Sequence, residues 1–245
     1  MKYFLSLSLL ISFSVSAVTP SFDSMEVKIS YPCDVESQLK LEKEEQELVT
    51  FYDGNGNPLY RDGLVLRMRK GSDGSDYTVK YRAQSSVLDF DGPLYEVMTN
   101  RKDGKFKCEI DLVYDHENDH RAFKSCSFKT DSSVLSDGHK DFIRMAKKNP
   151  NLDNLKEFRV ESISKKIKLG STQKAENPFS GKPAVEKWIV RGECKLEVSG
   201  KFSIKNLSEE EVKNLSDKGF SFIRKIIPVS PSNEQGNKTG WALGL

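Results

Sequence analysis

Arg67-Met-Arg69, Lys80-Tyr-Arg82 and Glu109-Ile-Asp111 each set two like charges two residues apart. On a β-strand that spacing puts both side chains of a pair on one face. Paired basic groups can grip the oxygens of a phosphate chain, and paired carboxylates can hold a divalent cation. Gathered around one space, such groups could support metal-assisted phosphoryl chemistry or the binding of a polyanion. A plainer explanation also exists, because an antiparallel sheet often turns a charged face to water. Against it stands the local sign of Arg67, Arg69, Lys80 and Arg82, since like charges on neighbouring strands repel unless an anion lies among them.

The elements that would position these groups follow from the alternation. "LVLRMRK" and "YTVKYR" flank a turn rich in Gly, Ser and Asp, with Leu66 and Met68 backing the arginines, and Tyr77, Val79 and Tyr81 backing Thr78, Lys80 and Arg82. Upstream, "SMEVKISY" alternates Met25, Val27 and Ile29 with Glu26 and Lys28, as in a half-buried strand. "DVESQLKLEKEEQELV" predicts a helix capped by Asp34, and Leu94 to Met98 a strand. "KFKCEIDLVYD" and "RAFKSCSFKTD" predict a hairpin about "HENDH", with Cys108, Ile110 and Leu112 opposite Lys107, Glu109 and Asp111. A helix is expected from Ser136 towards Pro150, strands in "LKEFRVESISKKIKL", "EKWIVRG" and "ECKLEVSGKFS", and a helix at Ser208 with the capping-box partner Glu211 and Gly219 as its C-cap. The reading is mainly β with flanking helices, an α+β chain.

Residues 1–17, "MKYFLSLSLLISFSVSA", read as an export signal: a Lys near the start, a short apolar run, and small residues before the cleavage point. That leaves one domain over 18–227 and a loose tail over 228–245, rich in Pro, Ser, Asn and Gly. No later segment has the ~20 apolar residues of a span, so a periplasmic or secreted protein without a membrane anchor is expected. The net charge is only +2 with 30% charged residues, which argues against a nucleic-acid partner. The four cysteines form no CxxC pair, and an oxidising compartment permits disulfides. Across the "HENDH" hairpin Cys108 faces Cys126, which suggests one bridge and leaves Cys33 for Cys194, with buried free thiols as the alternative. His116, His120 and His139 could be counted as a metal cluster, but "HENDH" reads as a solvated hairpin tip, and Trp188 and Trp241 read as packing and tail residues. Asn206, Asn214 and Asn237 begin sequons, which matter only in a eukaryotic secretory pathway.

"FYDGNGNPLYRDGLVLRMRKG" followed by "YTVKYR" resembles the core of the CYTH superfamily, the triphosphate tunnel metalloenzymes. The resemblance runs in element order from Glu26 to about Phe222, and its specific part is Phe51 to Lys80. It implies an eight-stranded antiparallel tunnel whose cationic strand faces line a polar lumen and whose apolar faces turn outward under helices. It also implies phosphate binding by Arg67, Arg69 and Lys80, together with Lys28, Arg82 and Arg159, the last paired with Glu161. Metal binding, of Mg²⁺ or Mn²⁺, would fall to Glu26, Glu109, Asp111 and Glu197, with Lys107 where an Arg is often found. Two family acids are replaced, by Ser24 and Lys195. The implied activity is hydrolysis of a triphosphate or polyphosphate; the alternative is an exported binder of phosphate-rich anions that has lost catalysis.

Overall fold

The computed structural model describes residues 17–42, 45–83, 88–115, 119–232 and 238–245. The expected export signal lies outside these residues apart from Ala17, as do His116 and Asn237. Nine strands close into a barrel. They are β2 (Ser24–Tyr31), β3 (Glu45–Asp53), β4 (Leu64–Gly71), β5 (Gly74–Arg82), β7 (Lys105–Asp115), β8 (Asp119–Thr130), β9 (Lys156–Lys166), β10 (Ala184–Val190) and β11 (Glu193–Ser203). Around the barrel the order is β10-β11-β2-β7-β8-β5-β4-β3-β9. Outside it, β1 (Ala17–Val18) pairs with β6 (Phe90–Asp91).

The expected eight-stranded, wholly antiparallel tunnel is corrected on both counts. With nine strands, an odd number, directions cannot alternate all the way round a closed sheet, so at least one neighbouring pair must be parallel. That pair is β2 and β7, in the register Glu26 to Asp111. The amino-terminal strand thus lies between the middle hairpin and the last strand, β11.

Outward-facing apolar rows are covered by helices, as period-2 alternation requires. Met25, Val27 and Ile29 of β2 and Leu196, Val198 and Phe202 of β11 pack with Phe220, Phe222 and Ile223 of α5 (Glu209–Ile226). Leu64, Leu66, Val79 and Phe128 pack with Met98 of α2 (Gly92–Asn100) and with Phe142 and Ile143 of α3 (Asp137–Met145). Asp53, at the end of β3, accepts backbone N–H bonds from Gly54, Leu59 and Tyr60 and so ties down α1 (Pro58–Arg61). The short α4 (Ser171–Glu176) lies between β9 and β10. Among the described residues no helix is long and apolar enough to cross a membrane.

Four local expectations change. The stretch from Asp34 forms only a 3₁₀ turn, Cys33–Gln38, because Pro32 rather than Asp34 occupies the cap; Leu48 and Val49 then belong to β3. Leu94 to Met98 lies in α2, since the Asp91 carboxylate accepts the Leu94 N–H and Pro93 sits in the first turn. Gly219 does not end α5; it stays inside the helix because a Cβ there would meet the Phe202 and Phe179 rings at about 3 Å. The expected loose tail carries α6 (Lys238–Ala242), with Ala242 and Leu243 buried.

Both expected disulfides are present. Cys108–Cys126 joins directly opposed residues of β7 and β8, with Cα atoms 4.0 Å apart. Cys33–Cys194 ties the chain just after the first barrel strand to the start of β11, with a sequence separation of 161.

Gly200 on β11 faces outward, and an added Cβ would meet the Phe179 ring at 2.4 Å. That ring is held by Phe202 and Phe222, with centroids 4.8 and 5.9 Å away. Gly200→Ala should therefore cost about 1–3 kcal/mol in denaturant unfolding while leaving the lumen unchanged.

Candidate functional site in the barrel lumen

Closure sends one parity of every strand inward. The inward residues of β2, β4, β5, β7 and β11 include Glu26 and Lys28, Arg67 and Arg69, Lys80 and Arg82, Glu109 and Asp111, and Glu197, all around one cavity of about 380 Å³. Every site residue expected from the sequence lies there except Arg159. On β9 Val160, Ser162 and Ser164 face inward and Lys166 also lines the cavity, while Arg159 is exposed and pairs with Glu157 on the outer surface at 2.7 Å. The expectation for Arg159, and with it the pairing to Glu161, is corrected. At that end the lumen is apolar, filled by Val49, Phe51, Val160 and Trp188, so the charged face of β9 turns to water.

The lumen organises around two carboxylates. Asp111 is fully buried; its Oδ1 accepts from the Lys28 Nζ at 2.8 Å, and its Oδ2 from Lys80 at 3.1 Å and Arg82 at 3.2 Å. Burial alone would push the Asp111 carboxyl up, but Lys28, Lys80 and Arg82 outweigh it and hold it well below the usual carboxylate range. Lys28 responds reciprocally: burial pulls its ammonium down, while Asp111, Glu26 and Glu197 outweigh that and raise it well above its ordinary value. Glu109, bonded by Lys80 at 3.1 Å and Lys107 at 2.7 Å, is likewise lowered against burial, to about 2.

Glu186 of β10 is the second centre, and the sequence reading missed it. It accepts from Ser162 at 3.1 Å and Arg69 at 3.4 Å, and from Lys238 of α6. Burial would raise its carboxyl, but Lys238 and Arg69 hold it far below the normal range. Lys238 also bonds Glu197 at 2.8 Å. Its parity with the inward Trp188 could have flagged Glu186; Lys238 lies in a tail without periodicity and carried no such signal.

Arg67 stands apart. Among the described residues it has no carboxylate partner, and its Nε is buried without a hydrogen bond. Burial, and then the neighbouring Arg69, pull its guanidinium down to about 10. Among the described residues eight cationic side chains line the cavity against five carboxylates, so the lumen carries excess positive charge. The arrangement can take an anion, and Arg67 marks where its charge is most needed.

The same donor set fits a divalent metal poorly. Glu26 contacts Lys28 at 3.2 Å, Asp111 is surrounded by Lys28, Lys80 and Arg82, and Glu197 is held by Lys238. Among the described residues no three His, Cys, Asp or Glu side chains converge as a ligand set. Ser24, in place of a family acid, sits opposite Glu109 with its hydroxyl buried and unpartnered; Lys195, the other replacement, lies over the Trp241 ring at 5.8 Å. His139 is occupied elsewhere, accepting the Ser136 N–H at 3.0 Å at the start of α3 and lying 3.0 Å from the Tyr77 carbonyl.

A putative adenylyl cyclase from Hippeastrum, HpAC1, described as having a dominant triphosphatase activity, superposes with a TM-score of 0.54 at 10% identity, over 91% of this chain and 96% of that one. A putative adenylate cyclase from Bacillus halodurans superposes with a TM-score of 0.51 at 13% identity, over 89% and 96%. The chain shares the overall fold of these two proteins. No protein-family model and no curated sequence matches the chain. Identity this low establishes the fold alone, and within this tunnel the function has to be argued from the lumen.

The pairing inside the tunnel fixes a pH profile. Glu109 and Asp111 have lowered folded-state pKa values, so their stabilising contribution is complete above the unfolded values near 4 and is lost as pH falls towards 2. Lys28, being raised, contributes below its unfolded value of 10.5 and loses that contribution only in stronger alkali. Thermal melts should hold steady from pH 5 to 9 and fall steeply between about 4.5 and 2. A flat acid limb would contradict the pairing.

Proposed function

We propose that the tunnel holds a linear triphosphate or a short polyphosphate and that the protein is an exported phosphohydrolase acting on it. The observation that carries this reading is Arg67, an enclosed guanidinium facing the lumen that, among the described residues, forms no salt bridge with a carboxylate. Arg67 and Arg69 would take oxygens of one phosphate. Lys80, Arg82 and Lys28 would exchange Asp111 for oxygens of another as the chain enters. Water entering the cavity would attack the terminal phosphorus as the phosphoanhydride bond breaks, and the charge that develops on the leaving phosphate oxygen would be stabilised by cations already in place. Two disulfides suit the oxidising compartment that export implies.

The tunnel resemblance implies Mg²⁺ or Mn²⁺, but the acids that would hold such an ion are paired with lysines and arginine. That pairing favours a second reading, an exported binder of phosphate-rich anions without turnover. Phosphate release from tripolyphosphate, with and without Mg²⁺ or Mn²⁺, separates the two: release supports the hydrolase, and tight binding without release supports the binder.

Arg67→Ala should weaken tripolyphosphate binding by about 10- to 100-fold, the loss expected for one or two charge-assisted hydrogen bonds. Its melting temperature should be unchanged or higher, because an unpaired enclosed charge is removed. Arg159→Ala should leave affinity unchanged. Equal affinities for the wild type and Arg67→Ala by calorimetry would remove the anion site from this position.

A further inference from the structure

Glu186 and Glu197 are direct register partners on the antiparallel pair β10 and β11, and both face the lumen. Two carboxylates in that relation repel, so the pair needs a cation. Arg69 reaches Glu186 but not Glu197, at 3.4 Å. The cation that touches both is Lys238, whose Nζ bonds Glu186 and Glu197 and sits 4.7 Å from the centroid of the Trp188 ring. Its side chain is only 10% exposed. Neither the barrel nor its covering helices supply this ammonium; it comes from the carboxyl-terminal segment.

That segment is anchored well enough to hold it there. Ala242 and Leu243 pack against Val49, Phe51, Val160 and Trp188 at the apolar end of the lumen. The Leu243 carbonyl accepts from the Asn57 side chain at 3.4 Å. Gly240 lies so close to Tyr60 that a Cβ would stand 2.8 Å from the phenolic oxygen.

We infer that Lys238 is a tethered substitute for a divalent cation: the carboxyl-terminal helix delivers an ammonium to the Glu186–Glu197 pair and thereby closes to metal ions an oxygen site that the barrel would otherwise offer. Facing carboxylates are hard donors of the kind that Mg²⁺ and Mn²⁺ take, and a fixed ammonium meets the same electrostatic demand without a bound ion. The inference rests on ion-pair geometry and not on the anion reading, so either can fail alone.

The test is Mn²⁺ titration of the full-length protein, followed by electron paramagnetic resonance of the free ion, with no phosphate present. Lys238→Met should bind one Mn²⁺ more than the wild type, and the gain should vanish when Glu197→Gln is added. Lys238→Arg should behave as the wild type. Superimposable titrations for Lys238→Met and the wild type, or a gained site that survives Glu197→Gln, would overturn the inference. Should Lys238→Met not fold, amine labelling of the wild type decides: Lys238 should react at least about tenfold more slowly than the exposed Lys225, because labelling needs local opening of the pair. Equal rates would show an ammonium free in solvent and overturn the assignment.

Discussion

Charge enclosed by a closed barrel has to be balanced from within, because ions held away from bulk water are costly unless paired and hydrogen-bonded. The lumen meets this demand unevenly. Asp111 satisfies three cations and Glu186 two, while Arg67 is left over. The outer architecture follows from the same separation: once charge is confined inside, the outward rows must be apolar and need covering, and α2, α3 and α5 supply the cover. The two disulfides fasten strand ends and a hairpin whose inner faces have little apolar packing to hold them.

Much of this was legible in the sequence because strand parity is a strict signal. "SMEVKISY" forms the strand it predicts, the "HENDH" hairpin pairs Cys108 with Cys126, and the charged rows of β2, β4, β5, β7 and β11 all face inward. Arg159 was placed inside by the family resemblance alone, yet at that end Val160 and Phe51 fill the interior and water takes the charge. The strand count was also out of reach, since alternation shows that a strand exists and not how many strands are needed to close the ring.

Lys238 shows a different limit. No periodicity surrounds it, and Pro and Ser residues precede it, so composition suggested an unstructured end. What recruits it is tertiary: a pair of acids created by the β10–β11 register, and an apolar socket for the two residues at the end of its helix. Such a residue is invisible to local reading because its partners lie 52 and 41 positions away.

The parallel seam between β2 and β7 bears on the order in which the molecule can be completed during synthesis. One edge of β2 waits for β7, and the other waits for β11, the last barrel strand to leave the ribosome. Until some two hundred residues have emerged the first strand has an open edge, and contacts this distant in sequence form slowly. The bridge from Cys33 to Cys194 lies at that same late junction. Its thiols meet only when the two ends of the domain have come together, so the oxidised bond serves as a chemical record that the ring has been finished.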